Sequence, residues 1–454
     1  MRIPILFAAV SLVASAQAPD PAPVVLRDPD IKLRIARVDA ARIEKNIATL
    51  AAFGTRHSLS DATSTTRGIG AARNWLGDTM KNMLGAGAGT VELERHIAPK
   101  SARVPTPTEF VNVVTTIPGS DPNRVIVISG HYDSMPKDVM DPVADAPGAN
   151  DDASGTAVVL ECIAAMSGAT PRATIILAAL VGEEQGLIGA DFLAERLKQE
   201  GKEVTLMVTN DIVGGVRGSN GRLEPNVLRC FSEGVPSGPR DATGRVLREV
   251  VGSDNDSVSR QVARYLAERA PVYVDGFEVR LVFRQDRFLR GGDHKPFNDR
   301  GFAAVRLTEP NENYDWQHQD VGEVQGKRFG DRPENLDKDY IKRVAQVNIA
   351  CALEAAFAPP PPKDVRIDVM ALTPHTTLRW RATLDKDVAA HAVLSRRTHE
   401  PTWTGRRVVP KETNEVTLEG FSKDDWLFAI EAVGPKGHRS PPIYPTPAMR
   451  PRTR

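Results

Sequence analysis

Two consecutive carboxylates, Glu183 and Glu184, follow the apolar run Ala173 to Leu180 in the stretch Val181-Gly182-Glu183-Glu184-Gln185-Gly186. A run that apolar is expected as a strand buried on both faces of a sheet. Carboxylates just beyond it stand at the carboxyl edge, where open α/β sheets hold their sites. Adjacent carboxylates resist joint ionisation unless a cation or a proton sits with them. A metal ion and a water meet both needs, with one Glu as ligand and its neighbour as base. Three further polar clusters accompany this pair. His131-Tyr132-Asp133 follows the apolar run Val125 to Ile128. Imidazole is a common metal ligand, and a carboxylate two residues on can hold its second ring nitrogen. Gly148-Ala149-Asn150-Asp151-Asp152-Ala153-Ser154-Gly155 precedes a helical run from Thr156 to Met166. Capping of that helix accounts for one Asp but not for two beside an Asn. Asn210-Asp211 closes the run Val204 to Val208. Clusters that follow buried-type strands are expected to converge on one sheet edge.

Strands that alternate with helical patterns imply an α/β/α sandwich with a largely parallel, mixed central sheet. Helical periodicity covers about 30–52, 66–84, 258–269 and 337–357. Further strands are expected at Phe110–Ile117, Glu278–Phe283 and Ala303–Thr308. The Gly-, Ser-, Asn- and Asp-rich segment Gly214–Ser257 reads as an insertion near the site. Residues 29–357 then form one catalytic domain. The run Ala358-Pro359-Pro360-Pro361-Pro362-Lys363, residues 358–363, reads as a stiff extended spacer. Beyond it, 364–454 carries short β-type runs at Val365–Val369, Thr377–Trp380, His391–Ser395, Glu415–Leu418 and Trp426–Val433. They predict a small all-β sandwich that resembles a fibronectin type III-like module, with Trp380 in a central strand. Chemistry is not expected to require this module, which would serve attachment or shield an apolar face.

Balanced charge, 58 basic and 58 acidic residues in 454, gives no electrostatic case for nucleic acid or an anionic membrane. No internal apolar run is long enough for a membrane span. Met1-Arg2, the apolar stretch Ile3–Val13 and Ala14-Ser15-Ala16 read as a signal peptide over 1–16, cleaved after Ala16. The expected location is therefore secreted or periplasmic. The three cysteines, Cys162, Cys230 and Cys351, allow at most one disulfide. No Cys-x-x-Cys or His-Glu-x-x-His motif occurs, and nothing in the residues fixes an oligomeric state.

In order along residues 30 to 357, these motifs, with Gly292-Asp293-His294-Lys295-Pro296-Phe297 and Trp316-Gln317-His318-Gln319-Asp320, resemble the co-catalytic di-zinc aminopeptidases. These form the leucyl-aminopeptidase-like branch of the zinc exopeptidases. The resemblance implies two zinc ions bridged by Asp151. Glu184 and His318 would complete one set of protein ligands, and His131 and Asp211 the other. Glu183 would be the general acid/base, Asp133 would orient His131, and Tyr314 would donate to the oxyanion. The resemblance also implies a cis peptide between Asp151 and Asp152, and a His294 close to the site without being a ligand. The implied activity is that of a zinc-dependent exopeptidase acting on peptide substrates, foremost an aminopeptidase. A carboxypeptidase-type or glutaminyl-cyclase-like member of the same fold, or a non-catalytic binding protein, stays open as an alternative. The presence of both His131 and Asp211 speaks against the one-zinc cyclase, and retention of Glu183 speaks against a binding protein. The basic run Arg284-Gln285-Asp286-Arg287-Phe288-Leu289-Arg290 reads either as internal ion pairs or as a cleft lining that favours carboxylate-bearing ligands.

Overall fold

A computed structural model describes residues 27–235, 254–370 and 372–448. The expected leader over 1–16 lies outside them, as does 236–253 of the segment read as an insertion. Strands β1 (Thr90–Ala98), β2 (Thr108–Ile117), β3 (Asp121–His131), β4 (Ala173–Leu180), β5 (Glu203–Asn210), β6 (Val227–Ser232), β7 (Glu278–Val282) and β8 (Ala304–Thr308) form one sheet, ordered β1-β2-β4-β3-β5-β8-β6-β7. The centre is parallel, since β3 pairs in parallel with β4 and β5, and β5 with β8. Antiparallel pairs β1/β2, β2/β4 and β6/β8 make the whole sheet mixed.

Successive side chains of a strand point to opposite faces, and every residue of β4 is buried. Its Ile175, Leu177 and Ala179 join one core cluster while Ile176, Ala178 and Leu180 join another. Helices Gly68–Leu84, Ser154–Met166, Val258–Tyr273 and Lys338–Phe357 contribute to the first, larger cluster. Ile188–Gln199 and His294–Asp299 cover the opposite face. The expected α/β/α sandwich with a mixed sheet is therefore what the chain forms.

Several local expectations change. The helical stretch 30–52 is two helices, Pro29–Ile35 and Ala40–Ala52, because the Asp39 carboxylate accepts from Ala41 N (2.9 Å) and starts the second. Segment 214–257 is not a mere insertion: it supplies β6, which sits between β8 and β7. Strand β1 was not anticipated, because an edge strand with one wet face carries no apolar run.

The C-terminal residues form two small sheets. One holds Arg366–Asp368, Thr376–Arg379, Glu415–Leu418 and Thr446–Ala448, the other Ala390–Arg397, Gly405–Pro410 and Trp426–Val433. Leu378 and Val416 of the first meet Val393, Phe428 and Ile430 of the second in a common core with Trp380. The proline run leading into them is not a free spacer. Pro359 and Pro362 are buried, and the Arg124 guanidinium donates to Ala358 O (2.8 Å) and Pro359 O (3.1 Å).

Charged residues seam the C-terminal sheets to the larger body. Asp256 pairs with Arg264 (3.0 Å) and with Arg396 (2.7 Å), all three side chains fully buried. Arg264 also donates to Pro401 O (2.8 Å), and Trp403 lies under both guanidiniums, 5.9 Å from Arg264 and 5.3 Å from Arg396. Arg172–Asp385 (2.7 Å) and Arg406–Glu268 (2.6 Å) extend the seam.

Candidate metal centre

Because β3, β4 and β5 run parallel, their carboxyl ends meet at one edge, with His131 opposite Leu180 and Ser129 opposite Thr209. His131 ends β3, Glu183 and Glu184 follow β4, and Asp211 follows β5. Asp151 arrives from the turn Ala149–Ala153 ahead of helix Ser154–Met166, and its peptide bond to Asp152 is cis. His318 comes from the loop after β8 and has a positive φ of 52°. Two glycines allow this crowding. A Cβ on Gly155 would lie 2.1 Å from Asn210 O, and one on Gly182 (φ 76°) would strike the Phe110 ring at 2.6 Å.

The two oxygens of Asp151 face different partners. Oδ1 lies 3.1 Å from His131 Nε2, which is 4.0 Å from Asp211 Oδ1. Oδ2 lies 2.9 Å from His318 Nε2, which is 3.2 Å from Glu184 Oε1. The donor atoms thus form two clusters, His131–Asp151–Asp211 and Asp151–Glu184–His318, that share one carboxylate. His131 Nδ1 points toward Asp133, at 3.2 Å from its carbonyl and 3.4 Å from Oδ1. Its buried Nε2 makes no directed hydrogen bond. A nitrogen aimed at two carboxylates with no hydrogen-bond partner fits a metal ligand. This donor set of two imidazoles and three carboxylates suits zinc, and it leaves room for water and substrate.

Glu183 differs from its neighbour. It lines the site cavity, and among the described residues its carboxylate has no hydrogen-bond or ion-pair partner. Its pKa is pushed well above the ordinary range, first by burial and then by Glu184 and Asp211. Burial and Asp151 likewise raise Asp211, against the pull of Arg306. Burial also lowers the two imidazoles, yet the carboxylates prevail. Asp133 and Asp151 raise His131, and Glu184 and Asp151 raise His318 to about 11. Carboxylates that favour a positive charge on the imidazoles in this way would equally favour a bound cation.

Residues not singled out in the sequence set this arrangement. Asp331 accepts from the backbone of Asn150 (2.8 Å) and Asp151 (2.7 Å). Fully buried Arg56 donates to Tyr132 O (2.7 Å) and Gly148 O (2.9 Å) and so joins two ligand loops. Arg306 pairs with Asp211 (2.8 Å). These are single charged residues without a local motif, and no sequence signal marks them. Asp133 does more than face His131: its carboxylate also accepts from Ser58 (2.8 Å) and from the backbone of Glu183 and Glu184 (3.4 and 3.3 Å). His294 belongs to neither cluster, and its Nε2 meets Gln285 O at 2.8 Å. Tyr314 departs from its expected place. It is 63% exposed and does not line the cavity, because its loop is anchored outward by the Ser219 hydroxyl accepting from Tyr314 N (2.7 Å).

Known proteins share both the sequence and the architecture. The chain is 44% identical over 421 residues to a probable zinc metalloprotease of Leptosphaeria maculans, covering 92% of this chain and 97% of that protein. It is 42% identical over 431 residues to one from Pyrenophora teres f. teres, covering 94% and 89%. The fold is similar to that of the LapA aminopeptidase of Legionella pneumophila, with a TM-score of 0.53, 19% identity and coverage of 76% and 79%. The profile of peptidase family M28 matches residues 112–352, a span from β2 to the helix Lys338–Phe357 that carries every residue of both donor clusters, and the chain belongs to that family.

Proposed function

We propose that the chain is a zinc-dependent exopeptidase, foremost an aminopeptidase, that works with two zinc ions. The observation that carries this reading is the shared Asp151, each of whose oxygens faces its own imidazole and a second carboxylate. The curated relatives named as zinc metalloproteases support the choice of metal. When bound, zinc would supply Lewis-acid polarisation of the scissile carbonyl and acidify a water. Glu183, unpartnered on the cavity wall, would take the proton of the attacking water and return it to the leaving amine. Asp133 would fix the His131 tautomer, so that Nε2 faces the ligand cluster while Nδ1 is held. Arg306 would offset part of the charge of Asp211 and hold that carboxylate in place.

Two further readings belong to the same proposal. The strand order Glu415–Leu418, Thr376–Arg379, Arg366–Asp368 in one sheet and Gly405–Pro410, Ala390–Arg397, Trp426–Val433 in the other supports a fibronectin type III-like module. The residues Met1 to Ala16 support export from the cytoplasm.

Elemental analysis of active protein is expected to give two zinc ions per chain. Chelation should abolish hydrolysis of aminoacyl anilides, and added zinc should restore it. One ion or none in fully active protein would end the dinuclear reading.

A further inference from the structure

We infer that the cavity selects substrates that carry a carboxylate one residue from the scissile bond; this rests on the exopeptidase reading above. The cavity beside the donor clusters measures about 680 Å³ and is walled by four cationic side chains, Arg103, Arg287, Arg290 and Lys295. The protein's own carboxylates account for only part of this charge. Arg287 is paired twice, with Asp286 (3.2 Å) and Glu312 (3.1 Å). Arg290 shares that same Glu312 oxygen (3.2 Å), while the other oxygen takes Arg229 (3.1 Å), so one carboxylate serves three guanidiniums. Among the described residues, Arg290 otherwise hydrogen-bonds a neutral amide, Gln317 Oε1 (3.4 Å). Arg103 donates to the carbonyl of Glu184 (2.6 Å). Among the described residues, neither Arg103 nor Lys295 has a carboxylate within ion-pair distance.

These cations stand close to the reacting centre. Gln317, held by Arg290, donates through Nε2 to Asp151 Oδ2 (3.2 Å), and Arg103 holds the backbone of Glu184. Two divalent ions would offset the charges of Asp151, Glu183, Glu184 and Asp211, leaving Arg103 and Lys295 with no carboxylate partner among the described residues, and Arg290 with only a share of Glu312, to face the substrate. A guanidinium and an ammonium in a cleft are matched by a carboxylate through charge-assisted hydrogen bonds. An exopeptidase substrate can present one in two ways: as an aspartyl or glutamyl side chain, or as the terminal carboxylate of a dipeptide.

The test compares kcat/KM of the zinc-loaded full chain on two pairs. One pair is glutamyl- against leucyl-p-nitroanilide, the other leucylglycine against leucylglycinamide. The carboxylate member of at least one pair is expected to be favoured about tenfold or more, the scale of one hydrogen bond to a charged group. The favoured pair identifies the source. Arg290→Gln and Lys295→Met should each lower that ratio several-fold with zinc content retained, and added salt should lower it further. Lys295 holds no ion pair among the described residues, so its replacement breaks none. Ratios at or below one in both pairs, or ratios unmoved by either zinc-loaded variant, overturn the inference and leave the exopeptidase reading intact. Zinc-loaded protein that cleaves none of the four substrates overturns both.

Discussion

Glu183→Gln is expected to lower kcat by about 10²–10⁴-fold while both zinc ions stay bound, since that is the range a positioned proton-transfer group supplies. The carboxylate of Glu183 lines the cavity and engages no donor among the described residues, whereas that of Glu184 faces His318 at 3.2 Å. An amide of the same shape can neither take the proton of water nor give one to an amine. Glu184→Gln should fail differently, by weakening the cluster that contains His318 and lowering metal content. Metal analysis and single-turnover rates on the two variants separate the roles. Wild-type rates in zinc-loaded Glu183→Gln would remove it from the chemistry.

Loss of the buried seam is the second large effect expected. Asp256→Asn leaves Arg264 and Arg396 inside the protein without their counter-charge. Breaking a buried pair in this way typically costs about 3–5 kcal/mol, a sizeable part of a typical stability of about 5–15 kcal/mol. Calorimetry should show a clear fall in Tm. A chain ending at Ala358 should fare worse, because it also uncovers Arg172, Glu268 and the surface under Trp403. This reverses the expectation that the C-terminal residues are dispensable. The damage should extend to the cavity, because Phe283, which leads from β7 into the basic run, is stacked by Arg260 (4.6 Å) and Arg264 (5.3 Å). A truncated chain that is soluble, zinc-loaded and fully active on small substrates would show that the seam adds little.

His131, Glu184 and Asp211 were legible in sequence because each stands just beyond an apolar run, and Asp151 because it precedes a helical run that one Asp alone would cap; His318, in a loop well past β8, was placed through resemblance. His131 and Asp211 needed no long-range information beyond strand direction. Tyr314 was placed through resemblance alone, and loop direction, set by a hydroxyl of distant Ser219, carried it outward. Asp331 and Arg56 act through backbone groups far along the chain, so their types and spacing announce nothing. The seam was hidden for a related reason: Asp256, Arg264 and Arg396 look like solvated charges until two layers close over them. β6 escaped notice because six residues inside a Gly-rich stretch are too few for periodicity to register.

All three thiols, Cys162, Cys230 and Cys351, are buried and unbonded to one another, and burial pushes each thiol's pKa upward. A thiolate is a softer and stronger zinc donor than imidazole or carboxylate, and it is also the form that oxidants attack. With every thiol held neutral inside the core, no thiolate competes for the ions gathered by Asp151. The fold then needs no oxidant to form, and once folded it holds no disulfide among these residues that a reductant could break.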